Sequence, residues 1–375
     1  MPAERGQGPG RGATDRGSAG RPTISEVAAE AGVGRATAAR TLGGYGYVSP
    51  ELRERVLAAA RKLGYRTNAL ARSMSTGVTH TIGVIVADIG NPFFAGVMRG
   101  ISDTSRARGF DTLVLSTYEA LEEEVAATDV LIDKRVDGMI ISSAAVDRGE
   151  VAHIRAAIDR GVPVVLVDRA VAALDLDTVV IDNRDAAREA VETLVEAGHR
   201  RIGFVWGPPA AEQPATRRGL LARTSRNLWT DGERLRGYLD ALDDARIPFD
   251  PELVMVGEKS ERHAAQEVAR MLALPDRITA VFCTEAEAVI GALRAIRAAG
   301  LSYPRDVSII GFDDSAWAAV MEPPLTMIEQ PVHELGATAA RVLLDVLEGA
   351  EPRREMHTLR SRLIVRSSVG PAPAG

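Results

Sequence analysis

The feature that most constrains this chain is an alternation that begins at Ile82. Short apolar runs (Ile82–Val86, Thr112–Leu115, Gly138–Ile141, Pro163–Val167, Ile202–Val205, Leu253–Val256, Thr279–Phe282 and Val307–Ile310) read as buried strands. Helical stripes separate them. Phe94, Val97, Met98 and Ile101 stand at i, i+3, i+4 and i+7, as do Val289, Ala292, Leu293 and Ile296. Gly109, Gly161, Gly198 and Gly300 sit where helix C-terminal caps belong. Such strand–helix repetition builds parallel sheets covered on both faces, an α/β architecture. The stretch is too long for one small sheet, so two doubly wound halves are expected. Ligands of open parallel sheets bind off the carboxyl ends of the strands, and two facing halves leave a cleft there. Asp88, Asp168 and the pair Asp313-Asp314 each follow an apolar run directly, either as ligand groups or as caps of the next helix.

Charge separates the start of the chain from the rest. Residues 1–80 hold 12 Lys/Arg against 6 Asp/Glu, whereas the remainder holds 33 against 45. A basic head on an acidic body points to one module that faces a polyanion and another with a different task. Arginine is abundant throughout, 42 residues to 3 lysines, so composition alone also accounts for part of this. Residues 1–20 carry six glycines and almost no large apolar side chain, and read as a disordered tail.

Residues 21–66 read as an all-α head. Thr23-Ile-Ser-Glu26 has capping-box spacing, and Val27, Ala28 and Ala31 give that helix a small apolar face. Gly32 permits a tight turn into a second short helix over 34–41, the helix-turn-helix pattern. A third helix starts with Ser49 and Pro50 and ends at Leu63 before Gly64, with Val56, Ala60 and Leu63 as its stripe. In such a head the second helix places its first residues on base edges of the major groove of double-stranded DNA. Those residues are Gly34, Arg35, Ala36 and Thr37; Arg35 suits guanine and Ala36 a thymine methyl. Arg40, Arg53 and Arg55 are placed for phosphates. Residues 67–79 form a hinge and linker in which Asn68-Ala-Leu-Ala-Arg-Ser-Met74 is a helix too short to hold in water unaided.

These segments carry a resemblance. Thr23-Ile-Ser-Glu-Val-Ala-Ala-Glu-Ala-Gly-Val, Thr37-Ala-Ala-Arg-Thr-Leu, Gly46-Tyr-Val-Ser-Pro-Glu-Leu-Arg-Glu-Arg-Val, Leu63-Gly-Tyr and Asn68-Ala-Leu-Ala-Arg-Ser-Met resemble the LacI/GalR (lactose repressor) family. So do Asn91-Pro-Phe-Phe, Gly198-His-Arg-Arg-Ile-Gly-Phe-Val, Gly311-Phe-Asp-Asp and Pro323-Pro-Leu-Thr, in family order across residues 21–368. The resemblance implies a homodimeric, ligand-responsive transcription factor, usually a repressor, on a pseudo-palindromic operator. It implies paired hinge helices in the minor groove with Met74 at the wedge position, where the family usually has leucine.

For residues 80–368 it implies two lobes of periplasmic-binding-protein type. Lobe 1 comprises about 80–181 and 331–358, and lobe 2 about 182–329 and 360–368, with crossovers near Ile181–Asn183, Glu329–Gln330 and Leu359–Arg360. Position by position it points to Phe94, Asp168, Arg234 and Asp313 as effector contacts, with Phe93 and Gln330 beside them. Carboxylates and a guanidinium over an aromatic ring suit a carbohydrate; a purine or another polar metabolite fits the same set. Glu285-Ala286 replaces the usual Asn-Asp, and Lys259 stands where some members place an aromatic lid, which suggests a more polar or anionic effector. The segment 208–233 is longer than usual and holds Arg217, Arg218, Arg223 and Arg226, as a loop at the cleft mouth or an idle insertion. In the head, Ala38-Ala39 and Gly43 replace the usual Val-Ser and Asn, which removes phosphate contacts.

Other classes are weaker. No G-x-G-x-x-G, P-loop, G-x-S-x-G or H-E-x-x-H occurs, and the six histidines lack ligand spacing, so the chain reads as no enzyme, with no cofactor and no metal. One cysteine, Cys283, leaves no intrachain disulfide. An exported solute-binding protein would share the cleft but has no use for residues 21–74. No apolar run suits a membrane helix and no signal-like segment opens the chain, so a cytoplasmic location is expected.

Overall fold

Helix α1, Ile24–Ala31, starts where the sequence supplies both halves of a capping box: Thr23 N–H donates to Glu26 Oε2 at 2.6 Å, and Glu26 N–H donates back to Thr23 Oγ1 at 3.4 Å. It ends on Gly32 at φ 62°, a left-handed turn that glycine enters without steric cost. Helix α2, Arg35–Gly43, follows with Gly34 as its N-cap, and α3, Pro50–Leu63, has Pro50 in its first turn and left-handed Gly64 behind it. Val27, Ala28, Ala31, Ala38, Val56, Ala59 and Ala60 form the shared core. Alanines at most of these positions let three short helices approach closely.

The computed structural model describes residues 22–65, 77–205, 216–224 and 228–373. It divides the chain into two units, Met1–Thr79 and His80–Gly375. The tail 1–20 and the hinge residues Asn68 and Met74 lie outside the described residues.

The second unit contains two sheets. The first has six strands in the order β10-β5-β4-β3-β1-β2: β1 Thr81–Val86, β2 Asp111–Ser116, β3 Gly138–Ile141, β4 Val164–Val167, β5 Thr178–Ile181 and β10 Met356–Leu359, all parallel. The second runs β11-β9-β8-β7-β6: β6 Ile202–Val205, β7 Ala280–Cys283, β8 Ser308–Phe312 and β9 Thr326–Glu329 are parallel, and the edge strand β11, Arg362–Ile364, is antiparallel. The chain passes between sheets after β5, after β9 and after β10. Four strands, β5, β9, β10 and β11, were not read from the sequence. The run Leu253–Val256 is corrected: Pro251–Leu253 is a 3-10 turn, and only Val254 bridges to Phe204. Its apolar character reflects burial, while Pro251 cannot donate to a ladder.

The helices that cover the sheets pack with backbones nearly touching. A Cβ on Gly100 would fall 2.0 Å from the His333 carbonyl oxygen, and one on Gly336 would fall 1.9 Å from that of Val97. Helix α4, Pro92–Ala107, therefore crosses Val332–Leu347 only because both positions are glycine.

His199 fastens the end of the chain to the second sheet. Fully buried, it bonds through Nδ1 to Thr279 Oγ1 at 2.9 Å, and through Nε2 to Ser308 Oγ at 2.8 Å and the Gly370 carbonyl at 3.1 Å. Burial holds its pKa below the usual value, against the raising effect of Gly370. The unfolded chain therefore binds the proton first, so this residue's stabilisation is complete above the ordinary histidine pKa and is lost as pH falls below it. His199→Gln should cost about 1–3 kcal/mol at neutral pH by leaving buried partners unpaired. Urea titrations from pH 7.5 to 5 should show a shallower acid loss than in the parent chain, and an identical slope would exclude His199 as its source.

Candidate functional site

Two surfaces concentrate functional chemistry. On the head, α2 turns Ala38 and Thr41 inward and leaves Gly34, Arg35, Ala36 and Arg40 exposed, with Thr37 half-buried. Arg53 is exposed on α3. Arg55, expected on phosphates, is exposed, and its Nη2 donates to the Ala31 carbonyl at 2.7 Å and approaches that of Gly32 at 3.4 Å. The last carbonyls of α1 lack helical partners and carry partial negative charge, so a guanidinium one helix away is drawn to them. The sequence reading also missed Tyr45 and Tyr47, both exposed beyond α2. The Tyr45 ring folds over Gly43, where a Cβ would lie 2.4 Å from Cε1.

The second surface is a small recess between the carboxyl ends of the two sheets. From the first lobe, the Asn91 side chain accepts from Phe93 N–H at 2.9 Å and starts α4, which sets Phe93 and Phe94 edge to face at 4.9 Å. Asp168 and Arg169 follow β4, and Glu119 follows β2. From the second lobe come Asp313 after β8, Glu285 after β7, Gln330 after β9, and Thr230 and Arg234 on the helix Trp229–Asp244. Glu119, Asp168 and Asp313 all have positive φ, 61°, 70° and 67°, a strained conformation for non-glycine residues that turns each strand end abruptly into the cleft.

Seven of the eight residues put forward for the effector, Phe93, Phe94, Asp168, Arg234, Glu285, Asp313 and Gln330, line this recess. Lys259 stands behind them, paired with Asp231 and 3.9 Å from Glu285 Oε1. Its charge is spent internally, which removes the basis for an anionic effector. Asp314 is separated from its neighbour: both its oxygens accept from Arg366, at 2.8 and 2.7 Å, away from the recess. Asp88 closes a local turn by accepting from Gly90 N–H at 2.8 Å. Of the long segment 208–233, residues Arg217–Thr224 are helical, Arg217 pairs with Asp243, and 229–233 already belong to the next helix. Glu119, Arg169 and Asp231 were missed. Nothing local marks them; their roles come from pairing across the fold.

Arg234 is the hub of the recess. It is buried, donates from Nε to Asn183 Oδ1 at 2.8 Å and from Nη1 to the Thr284 carbonyl at 2.7 Å, and lies 3.8 Å over the Phe312 ring. Burial raises the carboxyl pKa of Asp168, opposed by Arg169 and Arg234. Burial likewise raises that of Asp313, opposed by Arg234 and by the Gln330 amide that donates to it. Burial also pulls Glu119 upward, but Arg169, which grips it, and Lys259 outweigh this and hold it low. Glu285 is pushed up to about 8, by burial first. Around the recess, four buried polar atoms have no hydrogen-bond partner among the described residues: Arg169 Nε and Nη1, Asp231 Oδ1 and Gln330 Oε1.

The buried Ser143 hydroxyl and His153 Nε2 both bond to the same Glu124 oxygen at 2.7 Å, so the imidazole does not activate the serine. Among the described residues no group of three or more His, Cys, Asp or Glu is arranged to hold a metal ion, and no helix is long and apolar enough to cross a membrane.

Comparison with known proteins matches both parts of the chain. Residues 23–68 match the model for "Bacterial regulatory proteins, lacI family", and residues 79–365 that for "Periplasmic binding proteins and sugar binding domain of LacI family". The chain is 34% identical over 354 residues to the HTH-type transcriptional repressor CytR of Escherichia coli K12, which covers 94% of this chain and 97% of that one. It is similar to the solved transcriptional regulator CelR–cellobiose complex (TM-score 0.66, 32% identity, 93% of this chain and 100% of that one). It is also similar to the lac repressor dimer bound to operator and the anti-inducer ONPF (TM-score 0.78, 25% identity, 93% and 99%).

Two substitutions test the electrostatics. Arg234→Met removes a cation that favours ionised Asp168 and Asp313 and breaks the hydrogen bonds to Asn183 Oδ1 and the Thr284 carbonyl, and should cost about 1–3 kcal/mol in urea denaturation; a loss below a tenth of that would dethrone the hub. Glu285 is protonated in the folded protein up to about pH 8 but ionises near 4.5 when unfolded. Its contribution is therefore full below pH 4.5 and lost as pH rises through 8. Glu285→Gln should flatten this alkaline decline in melting temperature.

Proposed function

The chain belongs to the LacI family of bacterial regulatory proteins and is a DNA-binding transcriptional regulator rather than an enzyme, and from this we propose that it is a homodimeric cytoplasmic repressor whose operator affinity is set by a carbohydrate-like effector. The observation that carries the effector half is the recess itself: polar groups from two lobes converge there, and buried Arg169 Nη1 and Gln330 Oε1 are left without partners. One donor and one acceptor suit a ligand hydroxyl group, which both gives and accepts a hydrogen bond. The aromatic rings of Phe93 and Phe94 offer an apolar face to a sugar ring.

On the head, Gly34, Arg35, Ala36 and Thr37 read base edges while Arg40 and Arg53 hold phosphates. Two copies meet two half-sites, so the operator is a pseudo-palindrome. Asn68 and Met74 complete the grip from the hinge, Met74 as the wedge that opens a central base step. An effector that prefers one arrangement of the two lobes changes the operator affinity through residues 67–79, and bound operator changes effector affinity by the same factor, typically 5–150-fold. An exported solute-binding protein is the weaker reading because relatives such as CytR match through the head as well as the cleft.

Fluorescence anisotropy on operator and random duplexes tests the head. Arg35→Ala should cost about 1–3 kcal/mol on operator and little on random DNA. Arg53→Ala should weaken both alike and lower the salt slope by about one unit. Equal losses on both duplexes for Arg35→Ala would refute the assignment of base reading to that residue. Adding candidate sugars to the operator complex tests the coupling: one that fills the cleft should move operator affinity, and binding without any such change would refute the regulatory reading.

A further inference from the structure

The charges in the recess do not balance, and the imbalance bears on which effector fits; the inference rests on the recess being the effector site. Glu119 and Asp168 from the first lobe and Asp231, Glu285 and Asp313 from the second confront three cations, Arg169, Arg234 and Lys259. The formal deficit is two positive charges. Each cation is already committed. Lys259 holds Asp231, Arg169 grips Glu119 and lies 3.2 Å from Asp168, and Arg234 spends two of its nitrogens on Asn183 and Thr284.

What remains open includes acceptor capacity with no cation assigned to it. Gln330 lines the recess, is only 7% exposed, and leaves its Oε1 without a partner; Asp231 Oδ1, just behind, is orphaned too. Glu285 faces a cation only at 3.9 Å, beyond hydrogen-bond reach. The orphaned donors, Arg169 Nε and Nη1, belong to a guanidinium whose charge is already matched by Glu119 and Asp168, so Nη1 calls for a neutral oxygen such as a hydroxyl.

We propose that the effector is a small polyhydroxylated molecule bearing one protonated amine, of the amino-sugar class, whose ammonium pairs with Glu285 and whose hydroxyls meet Gln330 and Arg169. An anionic effector would deepen the deficit, and a neutral sugar would leave Glu285 to keep its proton unaided. Without ligand, the Glu285 carboxyl solves the problem by keeping its proton, and an ammonium takes over that role. Asp313, Asp168 and Glu119 around it all gain from the added positive charge.

The test is a thermal-shift and calorimetric panel on the full-length protein near neutral pH. The gluco, galacto and manno series are each offered as the neutral sugar, the free 2-amino sugar, its N-acetyl derivative and the uronate. A free amino sugar should raise the melting temperature and bind at least about tenfold more tightly than its N-acetyl counterpart, which keeps the bulk and loses the charge. Glu285→Gln should erase that preference. Lys259→Gln, which removes a competitor for Glu285, should strengthen amino-sugar binding, so the variants move in opposite directions and simple misfolding cannot mimic them. Equal or tighter binding by a neutral, acetylated or acidic member overturns the proposal. So does silence across the panel in protein that still grips its operator, an outcome that leaves the DNA-binding function standing, whereas loss of operator binding as well would remove both.

Discussion

A single buried guanidinium sets the character of the cleft. Arg234 reaches it from a helix of the second lobe, stacks on Phe312 from the same lobe, and attracts Asp168 from the first as well as Asp313 from its own. A lysine would place a point charge there but would lack the planar fork that serves Asn183 and the Thr284 carbonyl while lying flat on a ring. Because its attraction extends to carboxylates of both lobes, any change in their separation changes the cost of burying those carboxylates. That makes the relative placement of the lobes sensitive to what else enters the space between them.

Backbone strain supports the same arrangement. Glu119, Asp168 and Asp313 each adopt a left-handed conformation that costs a non-glycine residue about 1–3 kcal/mol. The two aspartates follow β4 and β8, strands in corresponding roles in the two sheets, so each lobe makes the same abrupt turn at its edge of the cleft. Strain of this kind persists only where the surrounding packing enforces it. The close helix contacts at Gly100 and Gly336, and the His199 clasp at the opposite ends of the second sheet's strands, supply such rigidity.

How much of this was legible follows from sequence separation. The head was readable because its signals are local: Thr23 and Glu26 are three residues apart, Pro50 opens a helix, and Gly32 and Gly64 close two. Strand ends were readable because a polar residue directly after an apolar run marks them, which is how Asp168 and Asp313 were found. Partnerships were not. Arg169 reaches Glu119 across 50 residues and Lys259 reaches Asp231 across 28, and no pattern in the chain announces either pair. Nor did the sequence announce that the exposed Arg55 reaches 24 residues back to the end of α1. Strands β10 and β11 are exposed or half-buried and mix polar with apolar residues, so no apolar run marks them.

The departures from family pattern acquire meaning only through those partnerships. Taken singly, Lys259 in place of an aromatic lid implies a positive pocket, and Glu285 in place of an amide implies a negative one. Together with Asp231 they form one unit in which the lysine is neutralised and the glutamate is left over. A buried ion pair adds little to stability once desolvation is counted, so the pair is weak evidence of a purely structural role. Its effect is to fix the lysine out of the way and present an uncompensated carboxyl to whatever occupies the recess. Discrimination by charge is then built as an unpaid desolvation cost that one kind of ligand relieves and others do not, a means of rejecting neutral look-alikes that hydrogen bonding alone lacks.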